Sequence, residues 1–382
     1  MIPRFTLDGS EALEAQLAEM CRRVLSGVQS LIPAPELEAL VLGGGYGRGQ
    51  GGVFKTVSDD RPYNDLEFYV FVRGNILLSE RKYRRPLHEL GERLSPDAGL
   101  HVEFKVYSVE KLRTSAISMF TYDLVAGHRT IFGEEKIFDD CAHHLVADQI
   151  PLHEATRLLF NRCSGLLLAK DFLRLDTLTA DQTDFIGRNL AKAQLALGDA
   201  VLTVFGQYHW SCTERHHRLN KLAVPETLPW LAEVRQYHAA GVDFKLHPRT
   251  VKMTKAEFEK RHAEVSGLGH RLWLWAEGRR LQHPFTSARE YALSSLDKCA
   301  ETARWRNFLL NLKTFGFGGA FGNQATRYPR ERLFHALVLL LWDNQSLNES
   351  ILKKRLQDQL RTNSTSWTDF VAAYKPIWEN FG

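Results

Sequence analysis

The chain has 382 residues, 49 of them Lys or Arg and 45 Asp or Glu, with a net charge of +4. That length allows two or three domains with proper cores, the apolar and charged fractions are those of an ordinary globular protein, and the charge is too small to argue for nucleic acid as a partner. Its five cysteines, Cys21, Cys141, Cys163, Cys212 and Cys299, are scattered and lack Cys-x-x-Cys spacing, which argues against a disulfide framework or zinc site and for a reducing cytosol.

No apolar stretch of signal-peptide type opens the chain. Residues 11 to 31 have helical periodicity, with Leu13, Leu17, Met20 and Val24 on one stripe and Asp8 or Ser10 as the N-cap. Ile32-Pro33-Ala34-Pro35 ends this N-terminal helix and with it the first segment, residues 1–35. A short apolar strand follows, Leu40-Val41-Leu42, and runs into Gly43-Gly44-Gly45-Tyr46-Gly47-Arg48-Gly49. Such a glycine loop lets the backbone come close to phosphate and offer N–H donors.

The next strand reads Asn64-Asp65-Leu66-Glu67-Phe68-Tyr69-Val70-Phe71-Val72. Side chains alternate faces along a strand, so Asp65 and Glu67 point the same way, roughly 6.6 Å apart, while Leu66, Phe68, Val70 and Val72 fill the buried face. Two carboxylates on one face repel unless a cation sits between them, and hard oxygen ligands paired this way suit Mg²⁺, which takes its remaining ligands from water and substrate phosphates. The basic run Arg81-Lys82-Tyr83-Arg84-Arg85 reads most simply as a solvated helix face beside a loop, the alternative being a patch that draws anionic nucleotide toward the cleft. His101-Val102-Glu103-Phe104-Lys105-Val106-Tyr107 again alternates, which sets Val102, Phe104 and Val106 toward the core and Glu103 and Lys105 on the other face. If this strand pairs beside the first, Glu103 joins Asp65 and Glu67, as a base toward an acceptor hydroxyl or as a ligand of a second metal ion.

Gly44-Gly45-Tyr46-Gly47-Arg48-Gly49 followed by Asp65-Leu66-Glu67 resembles the active-site signature of the nucleotidyltransferase superfamily that includes DNA polymerase beta. The glycine loop is especially similar to that of the bacterial protein-PII uridylyltransferases. The resemblance covers residues 36 to 140 and implies an α+β fold, a small mixed sheet followed by an all-helical bundle. It further implies that Gly44 and Gly45, with Tyr46 and Arg48 in the same loop, hold the triphosphate. Asp65 and Glu67 would bind two Mg²⁺ ions, with Glu103 as the third carboxylate. Nineteen residues separate Gly45 from Asp65, longer than the family's usual loop, so an inserted hairpin through Phe54–Pro62 is expected. The second acid is Glu rather than the Asp of the uridylyltransferases, and no His-Asp metal motif or regulatory repeat follows, so the uridylyltransferase function does not carry over.

Tyr122 to Gly133 resembles the tail of such domains, where a short strand closes the sheet, and the α/β segment is placed at residues 36–150. From His153 the pattern changes to long helices, Ala155 to Leu173 and Asp184 to Gln207, in a bundle over 151–225 that Val224-Pro225-Glu226-Thr227-Leu228-Pro229 breaks. A C-terminal helical region, 226–382, carries helices at Lys255 to Arg280, Ser287 to Leu312 and Arg330 to Trp342. Its longest apolar run, Leu333 to Trp342, is too short to span a bilayer. Lys192 and Asp199 share a narrow polar stripe seven residues long on the second bundle helix. By the same resemblance, Lys192 is the lysine that reaches a nucleotide phosphate from the bundle, with Tyr208 and Arg215 as weaker candidates. Gly316 to Gly322 follows a helical pattern rather than a strand, and reads as a connection and not as a dinucleotide loop. Arg330 and His335 have the arginine-x4-histidine spacing of a nuclease family, which arises easily by chance among 15 histidines.

The expectation is a cytoplasmic, Mg²⁺-dependent enzyme without a membrane partner. It moves NMP from an NTP to a hydroxyl of an acceptor, either a small molecule, a protein side chain or an RNA end. The alternative is a non-catalytic nucleotide-binding or interaction protein on the same scaffold.

Overall fold

The computed structural model describes residues 4–223, 228–320, 324–343 and 346–382. Its first elements are α1 (Glu11–Leu31), β1 (Leu37–Leu42), α2 (Gly44–Gly47), β2 (Gly52–Lys55), β3 (Asp60–Tyr63), β4 (Asp65–Val72), α3 (Ile76–Ala98) and β5 (His101–Tyr107). Then come α4 (Val109–Thr114), α5 (Met119–Ala126), β6 (Arg129–Phe132), α6 (Leu152–Leu173), α7 (Ala180–Val204), α8 (Cys212–Lys221) and α9 (Leu231–Leu246). Helices α10 (Lys255–Arg280), α11 (Ala288–Leu293), α12 (Arg304–Phe315), α13 (Pro329–Trp342), α14 (Ser350–Leu360) and α15 (Trp367–Phe381) complete the chain. The fold is α+β, with a small mixed sheet and a helical C-terminal region. The break expected at Val224–Pro229 lies partly outside the described residues, as does the end of the Gly316–Gly322 connection.

The chain divides into two compact units. One comprises Met1–Pro151, Phe205–Ala223 and Val242–Arg249; the other comprises Leu152–Val204, Val224–Gly241 and Thr250–Gly382.

In the first unit, a sheet of order β5-β4-β1-β6 forms the frame. Strand β1 runs antiparallel to β4 and β6, and β4 runs parallel to β5. A parallel neighbour requires a crossover, which α3 supplies. Leu66, Phe68, Val70 and Val72 enter one core with Leu13, Leu17 and Val24 of α1 and Leu87 and Leu90 of α3. Tyr69 and Phe71, on the carboxylate side of β4, are buried too, among Leu112 of α4 and Leu124 and Val125 of α5. That face of β4 is therefore open only at its start, where Asp65 and Glu67 stand. Strands β2 and β3 pair antiparallel from Gly52↔Tyr63 to Lys55↔Asp60, the hairpin expected between the glycine loop and Asp65. Ser10 is the N-cap of α1, its Oγ accepting from Leu13 N at 3.3 Å, whereas Asp8 pairs with Lys55 at 2.6 Å.

In the second unit, α6 begins three residues before the expected Ala155 and α7 four before the expected Asp184. The single helix expected over Ser287–Leu312 is instead two, α11 and α12. Buried chemistry breaks it: Lys298 N donates to the carboxylate of Glu331 on α13 at 3.1 Å, and Lys298 Nζ donates to Ser294 O at 3.2 Å. Arg330 and His335 are structural. Arg330 Nε donates to Phe381 O at 2.6 Å, and the fully buried His335 donates from Nδ1 to Ala292 O at 2.7 Å. All five cysteines are buried and unbridged, and burial pushes the thiols of Cys21 and Cys163 up to about 12. Among the described residues no helix is long and apolar enough to cross a membrane.

Burial is the first cause that holds His128, His144, His209, His262, His270 and His335 below the ordinary imidazole range. The unfolded chain protonates these rings near pH ~6.5 while the folded chain does not, so the unfolded state binds more protons on the acid side. Stability is therefore lost as pH falls through that value. The urea midpoint is expected to drop between about pH 7.5 and about pH 5.5; a midpoint that stays level contradicts the neutral burial of these rings.

Candidate functional site

The site begins where β1 ends. Gly43 N donates to Glu67 O at 2.9 Å, which carries the ladder one residue past the strand. The chain then reverses: Gly44 takes φ +61, and a Cβ there would stand 2.9 Å from Glu67 Oε1. At Gly47 a Cβ would lie 2.2 Å from Leu42 O, closer than any side chain allows. The expected glycine loop is thus the one-turn helix α2, folded tightly against the second carboxylate of β4. Tyr46, expected at a nucleotide, is only 2% exposed and serves as a post inside this turn. Its hydroxyl donates to Gly52 O at 2.8 Å and accepts from Tyr63 N at 2.7 Å, which pins both ends of the β2–β3 hairpin. Gly45 backs onto Gln50 O, 3.0 Å from where its Cβ would be.

Parallel pairing sets Asp65 opposite His101, Glu67 opposite Glu103 and Tyr69 opposite Lys105. Adjacent strands lie about 4.8 Å apart, so Glu67 and Glu103 are immediate neighbours on one face. The structure thereby brings Glu103 beside Glu67, the juxtaposition that the alternation of both strands anticipates. A cation already stands there: Lys105 Nζ is 3.4 Å from Glu103 Oε2 and 4.0 Å from Glu67 Oε2. Tyr69 completes the group, donating from its hydroxyl to Glu67 Oε2 at 2.9 Å, and burial with the adjacent Glu67 charge pushes its pKa up. Lys105 and Glu103 are 42% and 39% exposed, so solvent screens their pair and it contributes no more than about 1 kcal/mol. Among the described residues no three His, Cys, Asp or Glu side chains converge tightly enough to enclose one metal ion. The three acids share a face, but as they stand they do not form a common cage.

Arg48, expected at the triphosphate, is tied into the first unit by residues far along the chain. Its Nη1 lies 3.1 Å from Asp123 Oδ2 and donates to Trp210 O at 3.1 Å. Tyr208, one of the weaker candidates, donates to the same Asp123 Oδ2 at 3.1 Å. The other, Arg215, donates to His209 O at 2.8 Å and stacks its guanidinium 5.0 Å over the Tyr208 ring. Gln50 is the residue that sequence reasoning missed. Its Nε2 donates to Ser211 Oγ at 2.6 Å and its Oε1 accepts from Cys212 N at 2.9 Å, which fastens the glycine turn to α8. No local pattern signals this role, because the partners lie 161 and 162 residues away.

Lys192 belongs to the other unit. It is exposed on α7 and lines a cavity of that unit with residues of α6 and α15. Asp199 does not continue an open polar stripe with it: only 5% exposed, it bonds the buried His238 at 3.0 Å.

No protein-family model matches the chain, and no curated protein matches it in sequence.

Replacing Tyr46 by Phe removes one hydroxyl and strands two buried backbone groups, at Gly52 and Tyr63. It is expected to cost about 1–3 kcal/mol in urea unfolding. A cost within error of zero would show that the hydroxyl does not pin the hairpin.

Proposed function

We propose that this chain is a Mg²⁺-dependent nucleotidyltransferase that moves NMP from an NTP to a hydroxyl of a small-molecule or protein acceptor. One observation carries the reading: Asp65 and Glu67 open one face of β4, Glu103 stands in register beside Glu67, and the glycine turn packs against that same carboxylate. The donor set fits a hard cation. Mg²⁺ commonly takes only one or two protein carboxylates and fills its other positions with water and phosphate oxygens, so Asp65 and Glu67 suffice for one ion. When bound, Mg²⁺ would supply charge neutralisation to the phosphates, with Asp65 and Glu67 as the residues that would hold it. With Lys105 beside Glu103, the reading narrows from two ions to one. Glu103 accepts the proton of the attacking hydroxyl, and Lys105, 3.4 Å away, holds its carboxylate in place. Gly44 keeps a side chain out of the space beside Glu67, and Gly45 lets the turn close onto the Gln50 backbone. Arg48 acts by holding the turn in place against Asp123 and Trp210.

A second reading is a non-catalytic nucleotide-binding or interaction protein on the same scaffold. What favours it is that Lys105 and Tyr69 already supply partners to Glu67 and Glu103.

The two readings part on a screen of the four NTPs with Mg²⁺ for pyrophosphate release. Wild type is expected to release pyrophosphate from at least one of them. The double variant Asp65→Asn with Glu67→Gln, which keeps an acceptor for the Tyr69 hydroxyl, is expected to release none while unfolding at an unchanged or slightly higher urea concentration. Release that survives in the double variant sinks the catalytic reading. Binding of NTP and Mg²⁺ in wild type with no release leaves the second one standing.

Lys105→Met supplies a further check. Removing the ammonium leaves Glu67 and Glu103 facing each other, so Mg²⁺ titrated calorimetrically should bind about two- to fivefold more tightly, the scale of one partly exposed ion pair. Weaker Mg²⁺ binding in that variant would mean that Lys105 does not compete for these acids.

A further inference from the structure

The helical unit holds a cavity of about 670 Å³ between α6, α7 and α15, a size ordinary for a small-molecule site. Arg162 of α6 and Lys192 of α7 both line it. Arg162 has no carboxylate within ion-pair distance among the described residues. The carboxylate whose charge bears on it is that of Asp199, which is already bonded to His238 at 3.0 Å. Arg162 is partly buried at the cavity wall, and that burial lowers the pKa of its guanidinium.

The same cavity collects unsatisfied polar atoms. Asn161 Oδ1 and Trp378 Nε1 are both buried without a hydrogen-bond partner. They face one spot: a Cβ placed on Gly382 would lie 3.1 Å from the first and 2.8 Å from the second. An indole N–H can only donate, and an amide turned about its last bond can donate as well. Beside these donors the wall is aromatic, with Phe172 and Phe185 meeting edge to face at 5.2 Å. Four cations line the cavity, Arg162, Arg188, Lys192 and Lys375, against two carboxylates, Asp171 and Glu379; Arg188 is paired with Asp184 and Lys375 with Glu379. The excess of positive charge, the two idle polar groups and the aromatic wall suit an anion that carries a flat ring.

We propose that this cavity binds a phosphate monoester of a heteroaromatic compound, of the nucleoside monophosphate type. Arg162 engages the phosphate through its planar fork and Lys192 adds a point charge. Trp378 Nε1 and the Asn161 amide satisfy remaining oxygens, and the ring lies against Phe172 and Phe185. Phosphate is favoured over carboxylate because donors from three helices converge, which suits three oxygens on a tetrahedral centre better than two in a plane. All the residues belong to one unit, so the site does not rest on the proposed transferase reaction.

The test is calorimetry on the full chain carrying Asp65→Asn and Glu67→Gln, in chelator, so that Mg²⁺-dependent binding on β4 contributes nothing. The probes are AMP, adenosine and inorganic phosphate. AMP is expected to bind with one site per chain, more tightly than either fragment. Arg162→Gln should weaken AMP binding about 10- to 100-fold, the scale of one charge-assisted hydrogen bond, and Lys192→Ala should weaken it several-fold. Without ligand, Arg162→Gln should unfold at the same or a higher temperature, since it removes a partly buried charge that has no carboxylate beside it; a purely structural arginine would lower it. Trp378→Phe, which keeps an aromatic ring and loses the N–H, guards against misfolding of the charge variants and should also weaken AMP. The proposal is overturned if millimolar AMP gives no heat. It is equally overturned if AMP binds Arg162→Gln and Trp378→Phe as it binds the parent, or if phosphate alone binds as tightly as AMP.

Discussion

Carboxylates set side by side on a sheet repel one another, and a face that carries Asp65, Glu67 and Glu103 needs positive charge among them. The parallel register of β4 and β5 supplies it. The pairing that puts Glu103 beside Glu67 also puts Lys105, two residues on and hence on the same side, within reach of both. A slip of one residue would send Val102 and Phe104 to the open face and Glu103 into the core shared by α1 and α3, so the register cannot drift without losing both core and site. The rest of the first unit follows from this arrangement. Helices α4 and α5 cover the far half of the face over Tyr69 and Phe71, and the glycine turn closes on the near half. What remains open is one small acidic patch whose charge is held in check from within.

Much of this was legible because it is local. The alternation of β4 and β5 names the buried positions and the shared carboxylate face. Ser10 before the apolar stripe of α1 marks its start, and the long gap before Asp65 announces the β2–β3 hairpin. The rest depended on partners distant in sequence. Tyr46 reads as part of a phosphate loop until the hairpin closes over it. Lys105 was visible on the acidic face, but its role needs the spacing between strands. Asp199 looks like the companion of Lys192 on an open stripe until His238, 39 residues on, takes its carboxylate into the interior. The helix expected over Ser287–Leu312 fails for the same reason, because Glu331 on another helix competes for the backbone of Lys298.

Two buried carboxylates of the helical unit are fully partnered, in contrast with the α6–α7–α15 cavity. Glu277 is only 1% exposed, yet its carboxylate accepts from Thr156, from the hydroxyl of Tyr291 and twice from Arg280 at 2.7 Å. Glu331 likewise serves the Lys298 backbone and Arg327. Removing one member of such a network leaves a charge stranded in low dielectric, which is why these residues act as fasteners. Lys298 and Arg332, buried in the same unit, rest on backbone carbonyls and an amide instead, whereas Arg162 lines an open cavity.

Neither unit is a continuous stretch of chain, and this bears on how the protein is made. The sheet, the glycine turn and the three acids all lie within the first 151 residues, yet the unit they belong to is completed by Phe205–Ala223 and Val242–Arg249. A ribosome that has released β6 has therefore released a domain with unfilled sockets. Gln50 waits for Ser211 and Cys212, and the ion pair of Arg48 with Asp123 waits for Trp210 and Tyr208. The glycine turn reaches its final setting only after two long helices of the other unit have been synthesised in between. The contacts of Gln50 and Arg48 with residues 210–212 are thus among the last that the first unit's N-terminal stretch can make.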